Sequence, residues 1–416
     1  MPQKPNSQTH THIMSGKSEL CIFDKPIPQI SIEQSSYEII HPQVSIQGQA
    51  NIKFDIAGSD MYYLDLNDTL LVVELTVTKA NNANTADNDN IIPTNYMFYT
   101  LFKDVSLRLN SFAVEGTNDT YMAKSLIDVI MNYNKDTEDT CLAMIGYDKT
   151  DNNRKGWVTE GKTLQMCGHI NLDFFNQPKL LIPGVDVHLT LQRNSNELML
   201  NGAGKVVLKN AKLFVKRVKV RPSILASHLT GLNRYNAVYP IRKTRLIVYS
   251  VAAGTLNFFK DQIFGDMSVP KFILITFQKT STYNGTADED VSIFGNMNVA
   301  SIALHKDVDY YHKYEQSFKN NGNYMTSYVQ SLILNMGLIG KSGNVGITPA
   351  EFKSKYPFFT FVLAPDYDFE QRQLPRQGNV RIDVRFEDAL ASPINVLVYG
   401  IFDGDIEITK SGLVIV

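Results

Sequence analysis

The chain has 416 residues, 44% hydrophobic and 20% charged, with a formal net charge of -2. This is the composition of an ordinary globular protein with room for two domains of roughly 200 residues each, and it excludes a whole-protein attraction to nucleic acid or anionic membrane. Cys21, Cys141 and Cys167 are odd in number and far apart, which argues against a disulfide framework or a Cys-rich zinc site and for a reducing compartment.

Residues 1–42 read as an N-terminal arm: five prolines and few apolar residues before Leu20 disfavour a packed element. A disordered tail and a segment lying along a neighbouring surface both remain open for it. Residues 1–19 lack the apolar stretch of a signal peptide, so secretion is not expected.

A first domain is expected over 43–221. Strands are predicted at 44–54 and 63–78, an Asn- and Asp-rich loop at 80–95, and a strand at 96–109. Met122, Leu126, Ile127, Ile130 and Tyr133 then recur at helical spacing over 120–133, followed by a polar connection over 134–166 that holds the only tryptophan, Trp157. Val185, Val187, Leu189 and Leu191 alternate with polar residues, the signature of a strand with one dry face. A second run, 206–220, shifts its apolar phase from Leu213 and Val215 to Val218 and Val220, as an inserted bulge residue would cause.

Residues 222–240 read as a linker, with Pro222 and a short segment at 224–232, and 241–416 as a second domain. Strands are predicted at 244–251, 255–259, 271–277 and 299–305, with a polar loop at 278–290. Tyr311, Tyr314 and Phe318 follow a spacing of i, i+3, i+7 and predict a helix, as does the fuller stripe from Met325 to Met336. Thr348, Pro349 and Glu351 spell a capping box with proline at the first helical position. Three strands close the chain. Val380, Ile382, Val384 and Phe386 alternate with charged residues, 394–402 is apolar throughout, and Ile406 and Ile408 resume the alternation. The same order of strands, polar loop, strand, helical excursion and final strands occurs in each half. The fold class expected is therefore all-β with short helical insertions, as two tandem sandwiches of one design.

No catalytic, cofactor-binding or metal-binding residues are assigned. The run from Gly337 to Ser342 has two residues between its glycines where a phosphate loop needs four, and the run from Gly202 to Val206 lacks the hydroxyl that would hold magnesium, so both read as turns. His10 and His12 are close in sequence but lie on the arm. The acidic run at Asp366, Asp368 and Glu370 begins like a calcium loop but has neither the following glycine nor the acid at the twelfth position, and it and the run at Asp288, Glu289 and Asp290 read as solvated loop charge. Sequons at Asn67, Asn118 and Asn284 read as accidental without a signal peptide. The segment from Lys205 to Arg221 carries seven cations and no acid. It either faces phosphate or is a strand face paired with acids elsewhere, and the near-zero total charge favours the second. The uncharged stretch from Asn320 to Gly340 is too polar to span a membrane.

The closing run from Leu374 to Phe386, the segments from Pro393 to Tyr399 and Asp405 to Ile408, and the segment from Leu180 to Leu189 resemble the major capsid proteins of Polinton/Maverick elements and adintoviruses. The resemblance implies two eight-stranded jelly-rolls side by side, homotrimers forming a hexon-like pseudo-hexameric capsomer, and an icosahedral shell around double-stranded DNA. It also implies penton and minor capsid proteins as partners, possible inward contact with DNA, no cofactor and no enzymatic role. The expected location is the virion capsid, assembled inside the host cell. The loops at 80–95 and 278–290 would be modest outward projections. A jelly-roll carbohydrate-binding or adhesion module is the alternative, and a metal-dependent jelly-roll enzyme a more distant one.

Overall fold

The computed structural model describes residues 29–266, 268–286, 289–319, 322–336, 346–366 and 371–415. The expectations for His10, His12, Cys21, Asp288, Asp368, Glu370 and the run from Gly337 to Ser342 fall outside them.

Among the described residues two sets of eight longer strands carry the fold. The first set is β1 Ile32–Ile40, β2 Asn51–Ile56, β3 Tyr62–Lys79, β4 Phe102–Leu109, β5 Phe112–Gly116, β6 Thr163–His169, β7 Val187–Arg193 and β8 Gly204–Val220. The second is β9 Ala237–Val251, β10 Asn257–Lys260, β11 Phe272–Lys279, β12 Val299–Lys306, β13 Asp309–Glu315, β14 Phe359–Val362, β15 Val380–Phe386 and β16 Ile394–Ile408. The first set forms two antiparallel sheets ordered β1-β8-β3-β6 and β2-β7-β4-β5. The second repeats that order strand for strand, as β9-β16-β11-β14 and β10-β15-β12-β13. Helices interrupt the pattern at α1 Tyr121–Asn132, α2 Pro222–Gly231, α3 Met325–Tyr328 with its continuation Val329–Leu334, and α4 Pro349–Ser354.

Strand alternation sets the cores. In β2, Ile52, Phe54 and Ile56 are buried and the residues between them are exposed; β15 likewise buries Val380, Ile382, Val384 and Phe386. In the second sandwich Phe277 of β11 meets Phe386 of β15 across the two sheets, ring centroids 6.1 Å apart. One buried apolar cluster runs through both sandwiches. The capping box of α4 forms as expected: the Glu351 amide donates to the Thr348 hydroxyl, and the Thr348 amide to the Glu351 carboxylate.

The chain has two distinguishable ends. Val220 pairs with Ile32, and Ala237 with Ile408, so the linker and both described termini gather at one end. Lys79 pairs with Gly204, and Lys279 with Ile394, so the loops after β3 and β11 lie at the other. Gly202 there has φ of +101°, and a Cβ would stand 1.9 Å from the Asn90 carbonyl oxygen. The run from Gly202 to Val206 is a turn into β8 pressed against the loop after β3. Gly202→Ala should lower the unfolding free energy by about 3 kcal/mol, from left-handed strain plus the clash, as read by urea unfolding.

Four expectations need correction. Residues 32–40 belong to the first sandwich and not to an arm; all but one of them are exposed, so they carry no burial pattern, and backbone pairing with β8 is what makes them a strand. The linker is shorter than 222–240, because α2 fills 222–231 and β9 already begins at Ala237. Tyr311 and Tyr314 lie on β13 and not on a helix: the β12–β13 register shifts between Leu304 and His305, leaving Tyr311 as the extra residue, and this bulge produces the three-residue spacing. The phase change in β8 is not a bulge in β8. Its register with β1 is continuous from Leu213 to Lys219, and the extra residues lie in β3, between Asp65 and Leu70. Val218 and Val220 are buried on the opposite face by a small cluster with Tyr63, Leu180, Ile182, Ile224 and Leu225.

Candidate assembly interface

The connection between β5 and β6 carries α1, which the sequence presents as an amphipathic helix with one apolar stripe. Its other face holds Lys124 and Asp128, four residues apart, where a solvated i, i+4 pair would be expected. Both sit instead in the seam between the sandwiches. Lys124 Nζ lies 2.8 Å from Asp173 and 3.5 Å from Glu115, and Lys124 is 4% exposed. Asp173 also accepts the amide and the hydroxyl of Thr244 on β9, each at 2.7 Å. Asp128 accepts the Tyr399 hydroxyl of β16 at 2.5 Å and the Asn171 amide at 2.5 Å. Glu115 accepts the backbone N–H groups of Asp173 and Phe174.

Burial alone would push the Lys124 ammonium down, but the charges of Asp173, Glu115 and Asp128 outweigh it and hold the group above its ordinary value. Burial and then the Asp173 charge raise Glu115; burial raises Asp128 against the pull of Lys124. Burial, with Asp128 beside it, pushes the Tyr399 phenol well up. The seam is thus one connected network in which each carboxylate is hydrogen-bonded, the condition under which buried charge is tolerated.

Further contacts tie the sandwiches together along their length. The Asp290 carboxylate, in the loop after β11, takes Arg154 at 3.0 Å and the Asn95 amide at 3.2 Å, joining the two loop ends. Near the linker the Ile182 amide donates to the Tyr239 hydroxyl at 3.0 Å, and Phe174 meets the Tyr239 ring edge-on. A cavity of about 1050 Å³ remains in the seam, lined by Lys124, Asp173, Thr244, Leu246 and Tyr283 among others.

The residues singled out in the sequence do not converge on a chemical site. Of the basic segment, Lys216 pairs with Asp65 at 3.1 Å and with Asp68, Arg217 with Glu38, and Lys219 with Glu33 at 3.3 Å. The reading as a strand face paired with acids is therefore the one the geometry supports for these three. Glu289 pairs with Lys279 at 2.5 Å, and Asp366 accepts the Gln373 amide. Cys141 and Cys167 are free thiols. Among the described residues no group of three or more His, Cys, Asp and Glu is placed to hold a metal ion, and no helix is long and apolar enough to cross a membrane.

The chain superposes on the Sputnik virophage particle protein over 100% of this chain and 94% of that one, with a TM-score of 0.62 at 11% identity. This chain is a double jelly-roll. The double jelly-roll also matches the PBCV-1 capsid over 94% of this chain and 98% of that one (TM-score 0.59, 14% identity). The major capsid protein of mavirus matches over 100% and 96% (0.53, 10%). At these identities the likeness is one of fold. In sequence, an uncharacterised protein of Caenorhabditis elegans is 22% identical over 411 residues, spanning 91% of this double jelly-roll and 96% of its own length. No family model matches the sequence.

Proposed function

We propose that the protein is the major subunit of a viral shell: three copies form a pseudo-hexagonal capsomer, and capsomers tile an icosahedral capsid around double-stranded DNA together with penton and minor capsid proteins. Its place is the virion, assembled inside the host cell, and it needs neither cofactor nor catalysis. The observation that carries this reading is the repeat of one eight-stranded order in two sandwiches locked by a buried polar seam. Such a unit presents two equivalent walls in one rigid body, so that three copies can approximate six-fold packing. Full-length likeness to three capsid structures supports the same reading. The division into residues 1–31, a first sandwich, α2 and a second sandwich is proposed as the division of labour, with the N-terminal residues contacting neighbours.

Purified protein examined by size-exclusion chromatography with light scattering should have a mass near three times 46.8 kDa. Negative-stain images should show six-sided capsomers. A monodisperse monomer at high concentration would overturn the proposal.

A further inference from the structure

The outer faces of the two β1-β8-β3-β6 type sheets carry matching rows but different cover. In the second sandwich the register places Leu246 of β9, Tyr399 of β16, Leu274 of β11 and Thr360 of β14 side by side. The same row in the first sandwich is Ile39 of β1, Phe214 of β8, Leu70 of β3 and His169 of β6. Each reads aliphatic, aromatic, leucine, polar.

Within the chain, the helical insertion of the first sandwich covers the row of the second. Asp128 of α1 binds Tyr399, and Ile127 and Met131 line the same cleft as Leu274 and Tyr399. Tyr399 is accordingly 4% exposed and Leu274 0%. Among the described residues the row of the first sandwich lacks such a cover: Ile39 is 48% exposed and Leu70 37%, with Tyr37 beside them at 54%.

The corresponding insertion of the second sandwich, between β13 and β14, has the opposite imbalance. Helix α1 is buried over nearly its whole circumference, caught between its own sandwich and the next. In the counterpart, residues 325–334, Ser327, Ser331 and Leu332 face inward, and the Ser331 carbonyl accepts the Thr360 hydroxyl at the edge strand β14. Its other face leaves Met325 at 50% and Leu334 at 43% exposed, with Val329 and Ile333 half-buried between them. That face carries no charge, and the row it would meet is apolar except at the histidine edge, so association desolvates no unpaired ion along most of the contact.

We propose that the uncovered row of the first sandwich is the docking surface for residues 325–334 of a second copy of this chain, repeating between copies the contact that α1 makes within one. The contact is head-to-tail, with different surfaces on the two partners, so it does not build a two-fold dimer, and in the three-copy shell unit it repeats around a ring. This contact rests on the shell reading for its partner and adds the residues that meet.

The experiment uses two full-length variants, Ile39→Glu with Leu70→Glu on the sheet and Met325→Glu with Leu334→Glu on the helix. All four side chains are exposed, so each variant should keep the thermal unfolding temperature of the parent within about 3 °C. Each alone should run as a monomer by light scattering, while Val308→Glu, on the turn after β12, should assemble like the parent. Mixed in equal amounts, the two variants should form a dimer of one copy each, because one intact sheet can still meet one intact helix. Parent protein that is trimeric while either variant is also trimeric, or a mixture that stays monomeric, overturns this interface and leaves the shell reading standing. A parent protein that is itself monomeric overturns the shell reading.

Discussion

Lys124→Met should cost the folded chain about 3–5 kcal/mol, because it strands Asp173, Glu115 and Asp128 in the seam without the ammonium that pairs with Asp173 and Glu115. Methionine fills much the same volume, so the loss reads charge and not packing. Urea unfolding at pH 7 gives the number directly. Acidification supplies a second readout. With the ammonium gone, the folded-state values of Glu115 and Asp128, already raised by burial, rise further. A carboxyl group whose folded value lies above its unfolded one loses stability as pH rises through that range. The deficit of the variant should therefore shrink between pH 7 and pH 5. Adding Asp173→Asn and Glu115→Gln to Lys124→Met should return part of the stability at pH 7, since Asp128 is then the one carboxylate of the three still stranded. A single-variant loss below about 1 kcal/mol would mean that water reaches the carboxylates and that the seam is not the lock described above.

The doubled architecture was legible because strands with one dry face write their orientation into the sequence. Val185 to Leu191 and Val380 to Phe386 alternate and become β7 and β15, which occupy the same position in their two sandwiches. Where tertiary surroundings, and not alternation, decide burial, the pattern misleads. Strand β1 has no dry face to announce it. The inverted burial along β8 reflects what covers the sheet, first the opposite sheet and then α2 with its neighbours, and no local rule distinguishes that from a bulge. The spacing of Tyr311, Tyr314 and Phe318 mimics a helix because an unpaired residue in a hairpin adds one to a period of two. The seam was invisible for a different reason. Its members, from Glu115 through Asp173 and Thr244 to Tyr399, are spread over most of the chain. Lys124 and Asp128 look in isolation like any solvated pair on a helix. The one available signal was that α1 combines an apolar stripe with opposite charges spaced for a second, polar contact.

Alkaline pH should unfold the protein over a narrow range, and the effect should exceed that of any single substitution. Burial raises the phenols of Tyr96, Tyr99, Tyr121 and Tyr399 above their ordinary value, Tyr121 to about 12. In the unfolded chain these groups titrate near 10. Between the two values the folded state holds protons that the unfolded state has released, so stability is whole below pH 10 and falls as pH rises toward the folded values. Each group contributes about 1.4 kcal/mol per pH unit, and the four together on the order of 5 kcal/mol per pH unit. Lys124 adds to the same slope, because its neighbours hold its folded value above that of a free lysine. Two pH units of such a slope approach the entire stability of a typical domain. Urea midpoints measured from pH 8 to pH 12 should stay level to about pH 10 and then collapse. Tyr99→Phe, which removes one titrating group and one hydrogen bond to the His169 carbonyl, should lower the plateau slightly and flatten the descent by about 1.4 kcal/mol per pH unit. A profile that stays flat to pH 12 would mean that these phenols reach solvent in the folded state, and with it that the layer between helix α1 and the two sandwiches is open.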